Sequence, residues 1–116
     1  LQSITIPFSV SCIEESTFFG CTSLIRIIIP QSLTSIGRSA FEGCKSLSQI
    51  SFPSSLISIG KKAFKGCSSL ANATIPPSVK EIANDAFAGC SLLTDKTIES
   101  PDKHLDHNIY FFFYLI

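Results

Sequence analysis

The sequence predicts an α/β solenoid, a stack of short coils. A parallel strand ladder lines the concave face, and short extended pieces and helical turns lie on the convex side. Three observations carry this expectation. Leu1, Leu24, Leu47, Leu70 and Leu93 recur every 23 residues, and many other columns keep the same step without a gap. The start of each unit alternates apolar and polar residues, which is the period of a strand. Pro7, Pro30, Pro53 and Pro76 close these stretches, because proline lacks the N–H that a ladder needs. The units are residues 1–23, 24–46, 47–69 and 70–92, with a partial fifth at 93–98 and a degenerate apolar tail at 99–116.

Each unit can be read in order. A unit of this length opening Leu24, Ile27, Ile29 or Leu47, Ile50, Phe52 is one coil of a leucine-rich solenoid. A second extended piece follows the proline and carries Val10 and Ile13, Leu33 and Ile36, Leu56 and Ile59, or Val79 and Ile82. Ala, Phe and Cys then stand at i, i+1 and i+4, as in Ala40, Phe41 and Cys44, one face of a short helical turn. Gly20, Gly43, Gly66 and Gly89 suit a left-handed exit from that turn. No coil buries its apolar side alone, but coils stacked about 4.8 Å apart do. Stacking brings Phe18, Phe41, Phe64 and Phe87 into one aromatic ladder, in which each pair adds about 0.5–1.5 kcal/mol beyond area burial.

The unit Leu-x-x-Ile-x-Ile-Pro-x-Ser-Val/Leu-x-x-Ile-Gly-x-x-Ala-Phe-x-Gly-Cys-x-Ser resembles the BspA-like leucine-rich repeats. Residues 24–46 match it at nearly every position, and the likeness covers residues 1–92 before fading after Ile98. Glu14 and Ala83 stand where the pattern has glycine, and Thr17 where it has alanine; these departures bear on local turns. The resemblance implies a non-enzymatic solenoid of the kind found on the surfaces of oral bacteria and mucosal protozoa. It also implies adhesion to host proteins or to other cells, and so a protein partner. It favours a secreted or cell-surface location, with a cytoplasmic one left open.

Composition and motifs exclude several functions. Nine Lys/Arg balance nine Asp/Glu, so the basic surplus of a nucleic-acid binder is missing. No apolar run reaches the ~20 residues of a membrane span. The run Gly60-Lys61-Lys62 lacks the glycine-rich lead-in of a phosphate loop, and no nucleophile elbow occurs. His104 and His107, with Asp102 and Asp106, read as a solvated tail and not as a metal site. No histidine lies within the repeats to serve as a base, so no enzyme activity and no cofactor are expected.

Cys21, Cys44, Cys67 and Cys90 stand one period apart, which is not a zinc spacing. They read as a buried column of free thiols acting as small apolar groups. Cys12 shares a column with Ser35, Ser58 and Glu81 and is expected to face solvent. Asn72-Ala73-Thr74 fits the N-glycosylation rule but falls on a strand, so it reads as a chance match.

The candidate binding surface is the outward strand face, formed by Arg26, Ile28, Gln49, Ser51, Asn72 and Thr74. These columns vary while the inward ones are nearly constant, and stacked strands present them as one sheet, the usual contact surface of solenoids. A second surface is electrostatic. Residues 24–69 carry six cations against Glu42, a net +5, with Arg38, Lys61, Lys62 and Lys65 on the convex side facing an anionic partner or plain solvent. The functional readings are an adhesion module, an intracellular scaffold of the same fold, and a degenerate gene fragment. The chain begins with Leu, which reads as a processed chain or a piece of a longer one. Residues 109–116, all apolar or aromatic, either fold back as an improvised cap over the open end of the stack or form a disordered, sticky end without native contacts.

Overall fold

The computed structural model describes residues 2–83 and 85–93. The partial fifth repeat beyond Leu93, the histidine-bearing segment and the proposed cap at 109–116 lie outside them. Seven short strands form two parallel sheets. The first sheet contains β1 (Ser3–Thr5), β3 (Arg26–Ile28) and β5 (Gln49–Ile50), and the second contains β2 (Cys12–Ile13), β4 (Ser35–Ile36), β6 (Ser58–Ile59) and β7 (Glu81–Ile82). Every pairing is offset by one repeat: Ile4 faces Ile27, Ile27 faces Ile50, and Ile13, Ile36, Ile59 and Ile82 follow one another. The 23-residue period is therefore the register of the stack. The second extended piece is a full sheet, continuous through all four coils.

The core is the set of inward columns. Leu33, Leu47, Leu56, Leu70, Ile75 and Val79 are wholly buried. Phe18, Phe41, Phe64 and Phe87 stack with centroids 5.2, 5.0 and 5.2 Å apart, so the ring spacing follows the coil spacing. A hydroxyl column supports the proline turns: Ser32 Oγ donates to the Val10 carbonyl at 2.8 Å and Ser55 Oγ to that of Leu33 at 2.6 Å. The fourth member, Ser78, follows a second proline, Pro77, and its buried Oγ has no partner among the described residues.

The expected helical turn is not formed; no helix occurs among the described residues. From Ser16 to Cys21 the N–H groups alternate between two destinations. Thr17, Phe19 and Cys21 donate three residues back, to Glu14, Ser16 and Phe18, whereas Ser16, Phe18 and Gly20 donate to Arg38, Ala40 and Glu42 of the next coil. An α-helix would turn every N–H back onto its own coil, and half of these bonds leave it. The alternation requires left-handed backbone at two columns. Gly20, Gly43, Gly66 and Gly89 take φ of +70 to +79°, as expected, but Ser16, Ser39 and Lys62 also take +57 to +60°, where a side chain is disfavoured. Apolar spacing placed Ala, Phe and Cys on one buried face correctly, since i, i+1 and i+4 share a side in this run of turns too. The convex side is thus a third inter-coil ladder.

Gly37 and Gly60 set how closely coils approach. A Cβ at Gly37 would stand 2.9 Å from backbone atoms of Ile13, Glu14 and Glu15, and one at Gly60 2.8 Å from Arg38 N. Glu14, in the first coil, and Ala83, in the fourth, replace this glycine at the two ends of the described stack. The cost shows in the bond beside Ala83: its N–H reaches the Ile59 carbonyl at 3.0 Å, against 2.7 and 2.8 Å for Gly37 and Gly60.

The cysteines are free thiols. Cys44, Cys67 and Cys90 donate their S–H to the carbonyls of Phe18, Phe41 and Phe64, each at 3.1 Å. Each of those carbonyls also accepts the N–H of the cysteine in its own coil, so the thiol satisfies the second lone pair. Cys12 differs from expectation. It is half-buried, although its strand, β2, is at the edge of the second sheet and pairs on one side only, with β4.

Burial pushes the Cys44 thiol up from 9.0 to about 11, and the neighbouring Cys90 thiol, with burial, raises Cys67 further in the same direction. A water-soluble aromatic disulfide should therefore label only Cys12 and Cys21 in the native protein at pH 8, and all five thiols in urea. Because the unfolded thiol ionises first, the protons bound by the folded state exceed those of the unfolded one above pH 9. Stability should decline from about pH 9 to pH 11. Rapid native labelling of Cys44 would contradict this burial.

Candidate functional site

All six residues of the predicted strand face are exposed, and β-sheet alternation explains it. In β3, Arg26 and Ile28 point out while Ile27 is buried; in the third and fourth coils Gln49 and Ser51, then Asn72 and Thr74, flank buried Ile50 and Ala73. The pairing Arg26–Gln49–Asn72 runs straight across the coils. Ile28 is half-exposed, and Ile25 adjoins it at 41%, so the second coil offers two apolar groups either side of a guanidinium.

The sheet loosens along the stack. Between the first and second coils three residue pairs align, and Ile6 N–H adds a bond to Ile28 C=O at 2.9 Å. Between the second and third coils two pairs align, and between the third and fourth a single bridge remains, Gln49 to Asn72. Among the described residues the Ile6–Ile28 bond has no counterpart in the later coils: neither Ile29 N–H to Ser51 C=O nor Phe52 N–H to Thr74 C=O is made. A cavity of about 360 Å³ opens there, lined by Gln49, Ile50, Ser51, Phe52, Asn72, Thr74 and Pro76. It gathers four of the six predicted residues and leaves Arg26 and Ile28 outside.

Phe52 and Pro76 were missed as site residues, although the sequence marks the place. Phe52 is the one aromatic in a column otherwise of isoleucines, and Ala73 the one small residue in the column of Ile4, Ile27 and Ile50. Phe52 is held edge-on against Phe64, with centroids 5.7 Å apart and planes at 77°. Asn72, the acceptor in the glycosylation triplet, is exposed at the rim of this gap and not within a continuous strand.

Of the convex cations, Arg38 and Lys61 hold the same column in neighbouring coils. Arg38, Lys61 and Lys65 are exposed and Lys62 is half-buried. Glu42, among them, accepts the Ser39 hydroxyl at 2.7 Å. Among the described residues no cluster of His, Cys, Asp and Glu is placed to hold a metal, and no helix is long and apolar enough to cross a membrane.

Two parallel sheets and a turn ladder, all in one 23-residue register, define a leucine-rich-repeat solenoid, a class that generally mediates protein interactions. The chain belongs to the family described as "BspA type Leucine rich repeat region (6 copies)", whose model matches residues 1–114. It is similar to a leucine-rich repeat protein of Bacteroides ovatus, with 32% identity, a TM-score of 0.80, and 88% of this chain and 30% of that one covered. It is also similar to a leucine rich cell surface protein of Faecalibacterium prausnitzii, with 35% identity, a TM-score of 0.83, and 90% and 27% covered. A leucine-rich repeat protein of T. pallidum aligns at 29% identity with a TM-score of 0.61, over 79% of this chain and 56% of that one. The chain thus spans less than a third of the first two. No protein with a curated description matches it.

Proposed function

We propose that this chain is a non-enzymatic interaction module, part of a surface adhesion protein, that holds a protein partner against its strand face. The observation that carries the reading is the division of labour along each strand. Inward residues are buried and near-uniform, whereas outward ones are exposed and differ from coil to coil, so they are free to be fitted to a partner. Ile28 and Ile25 supply apolar area beside Arg26, a residue type enriched where interfaces concentrate their energy. The Faecalibacterium relative's description as a cell surface protein supports the surface location. The free thiols favour the second reading, an intracellular scaffold, since reduced cysteines belong to reducing compartments.

The test is selection of binders from a display library of secreted and cell-surface domains, followed by variants. Arg26→Ala with Ile28→Ser should weaken a selected partner at least tenfold, and Lys61→Glu with Lys62→Glu should leave it within about twofold. The reverse pattern would move the site to the convex face.

A further inference from the structure

The cavity between the third and fourth coils carries an inference beyond protein binding. We propose that it is a site for a neutral saccharide residue. Its polar lining consists of two amides, Gln49 and Asn72, and two hydroxyls, Ser51 and Thr74, with no charged side chain. Each amide both donates and accepts, and so does each hydroxyl. Vicinal hydroxyls on a sugar ring need such mixed partners, whereas a phosphate or carboxylate would need cations. The apolar part of the lining, Phe52, Ile50 and Pro76, offers the C–H face of a pyranose a surface to lie against.

Size and backbone agree with this chemistry. At about 360 Å³ the cavity lies at the lower end of ligand pockets and suits one sugar unit. Phe52 N–H and Thr74 C=O, which make no bond to each other, add a donor and an acceptor at the same gap. β5 is the last strand of the first sheet, but the fourth coil, bridged to it at Gln49–Asn72, already lies along that edge and leaves a partner strand no free ladder. The apolar wall has a packed backing, since Phe64 meets Phe52 edge-on at 5.7 Å. The proposal uses part of the strand face but does not depend on Arg26 or Ile28.

The test is NMR titration of the unglycosylated protein, made in a bacterial host, with methyl glycosides of glucose, galactose, mannose and N-acetylglucosamine. At least one should bind with a Kd of about 1–10 mM, as expected for a ligand of this size. It should shift the side-chain amides of Gln49 and Asn72 and the ring of Phe52. Asn72→Ala should weaken it about tenfold or more, and Arg26→Ala with Ile28→Ser should not change it. Absence of saturable shifts with all four glycosides, or shifts unaffected by Asn72→Ala, would overturn the proposal. A neutral glycoprotein and its deglycosylated form separate the sources. If the pocket reads displayed glycans, the same resonances shift with the first and not the second; if it reads free sugars only, they shift with the glycosides alone. Loss of protein-partner binding in the Arg26/Ile28 variant with glycoside binding intact distinguishes the two surfaces.

Discussion

Replacing Phe64 by alanine should lower the unfolding free energy by about 3–5 kcal/mol, the range for buried aromatics. Phe64 is wholly buried. It stacks on Phe41 at 5.0 Å and Phe87 at 5.2 Å, and meets the edge of Phe52 at 5.7 Å. Its removal leaves a gap in a column whose other members are fixed by their own coils. Because each coil touches only its neighbours, a central gap also weakens coupling between the two halves of the stack. Phe8, at 77% exposure, is the control, and Phe8→Ala should change stability by no more than about 0.5 kcal/mol. Urea midpoints of the two variants and the parent measure both. A loss under about 1 kcal/mol at Phe64 would mean that the ring column is not the core.

The second large effect is steric. Gly60→Val should cost about 3 kcal/mol, the upper part of the overpacking range. A Cβ there meets Arg38 N at 2.8 Å, Gly37 C at 2.9 Å and Ile36 O at 3.0 Å. These are backbone atoms and cannot swing aside. The second and third coils would have to part, straining the 2.8 Å bond from Gly60 N–H to Ile36 C=O. Gly60→Ala should cost less, since Ala83 occupies the same column with its bond at 3.0 Å. Gly66→Val tests a different cause. There a Cβ would make only ordinary contact, with Gly43 backbone atoms at 3.8 Å, and the φ of +78° is what opposes a side chain. If Gly60→Val proved no worse than Gly60→Ala, the close approach of coils would not be set at this column.

Most of the fold was legible because the repeat writes its register directly. Once Leu24, Leu47 and Leu70 align, every inward column and the phenylalanine stack follow. The turn ladder was not legible and was read as a helical turn, because Ala40, Phe41 and Cys44 show the same one-sided spacing in a helix and in alternating turns. What separates the two is where each N–H goes, and Ser39 and Lys62 give no sign that their backbone is left-handed. The strand face was legible as alternation, but the cavity on it arises where the pairing falls to the single Gln49–Asn72 bridge, at the place where Phe52 and Ala73 depart from their columns. That is a product of two unlike columns, which reading each column separately does not reveal. The half-burial of Cys12 was missed for a related reason: its column neighbours are polar, yet Ser35 and Ser58 are half-buried like it.

The central claim is that the strand face is spare for binding while the inward columns carry the fold. Urea unfolding of a single variant with Arg26, Ile28, Gln49, Ser51, Asn72 and Thr74 all changed to alanine tests it most directly. Surface substitutions of this kind typically fall within about 0.5 kcal/mol each. The expected result is a cooperative transition within about 1–2 kcal/mol of the parent. A loss matching or exceeding that of Phe64→Ala alone would contradict it, and would make these side chains part of what holds the coils together.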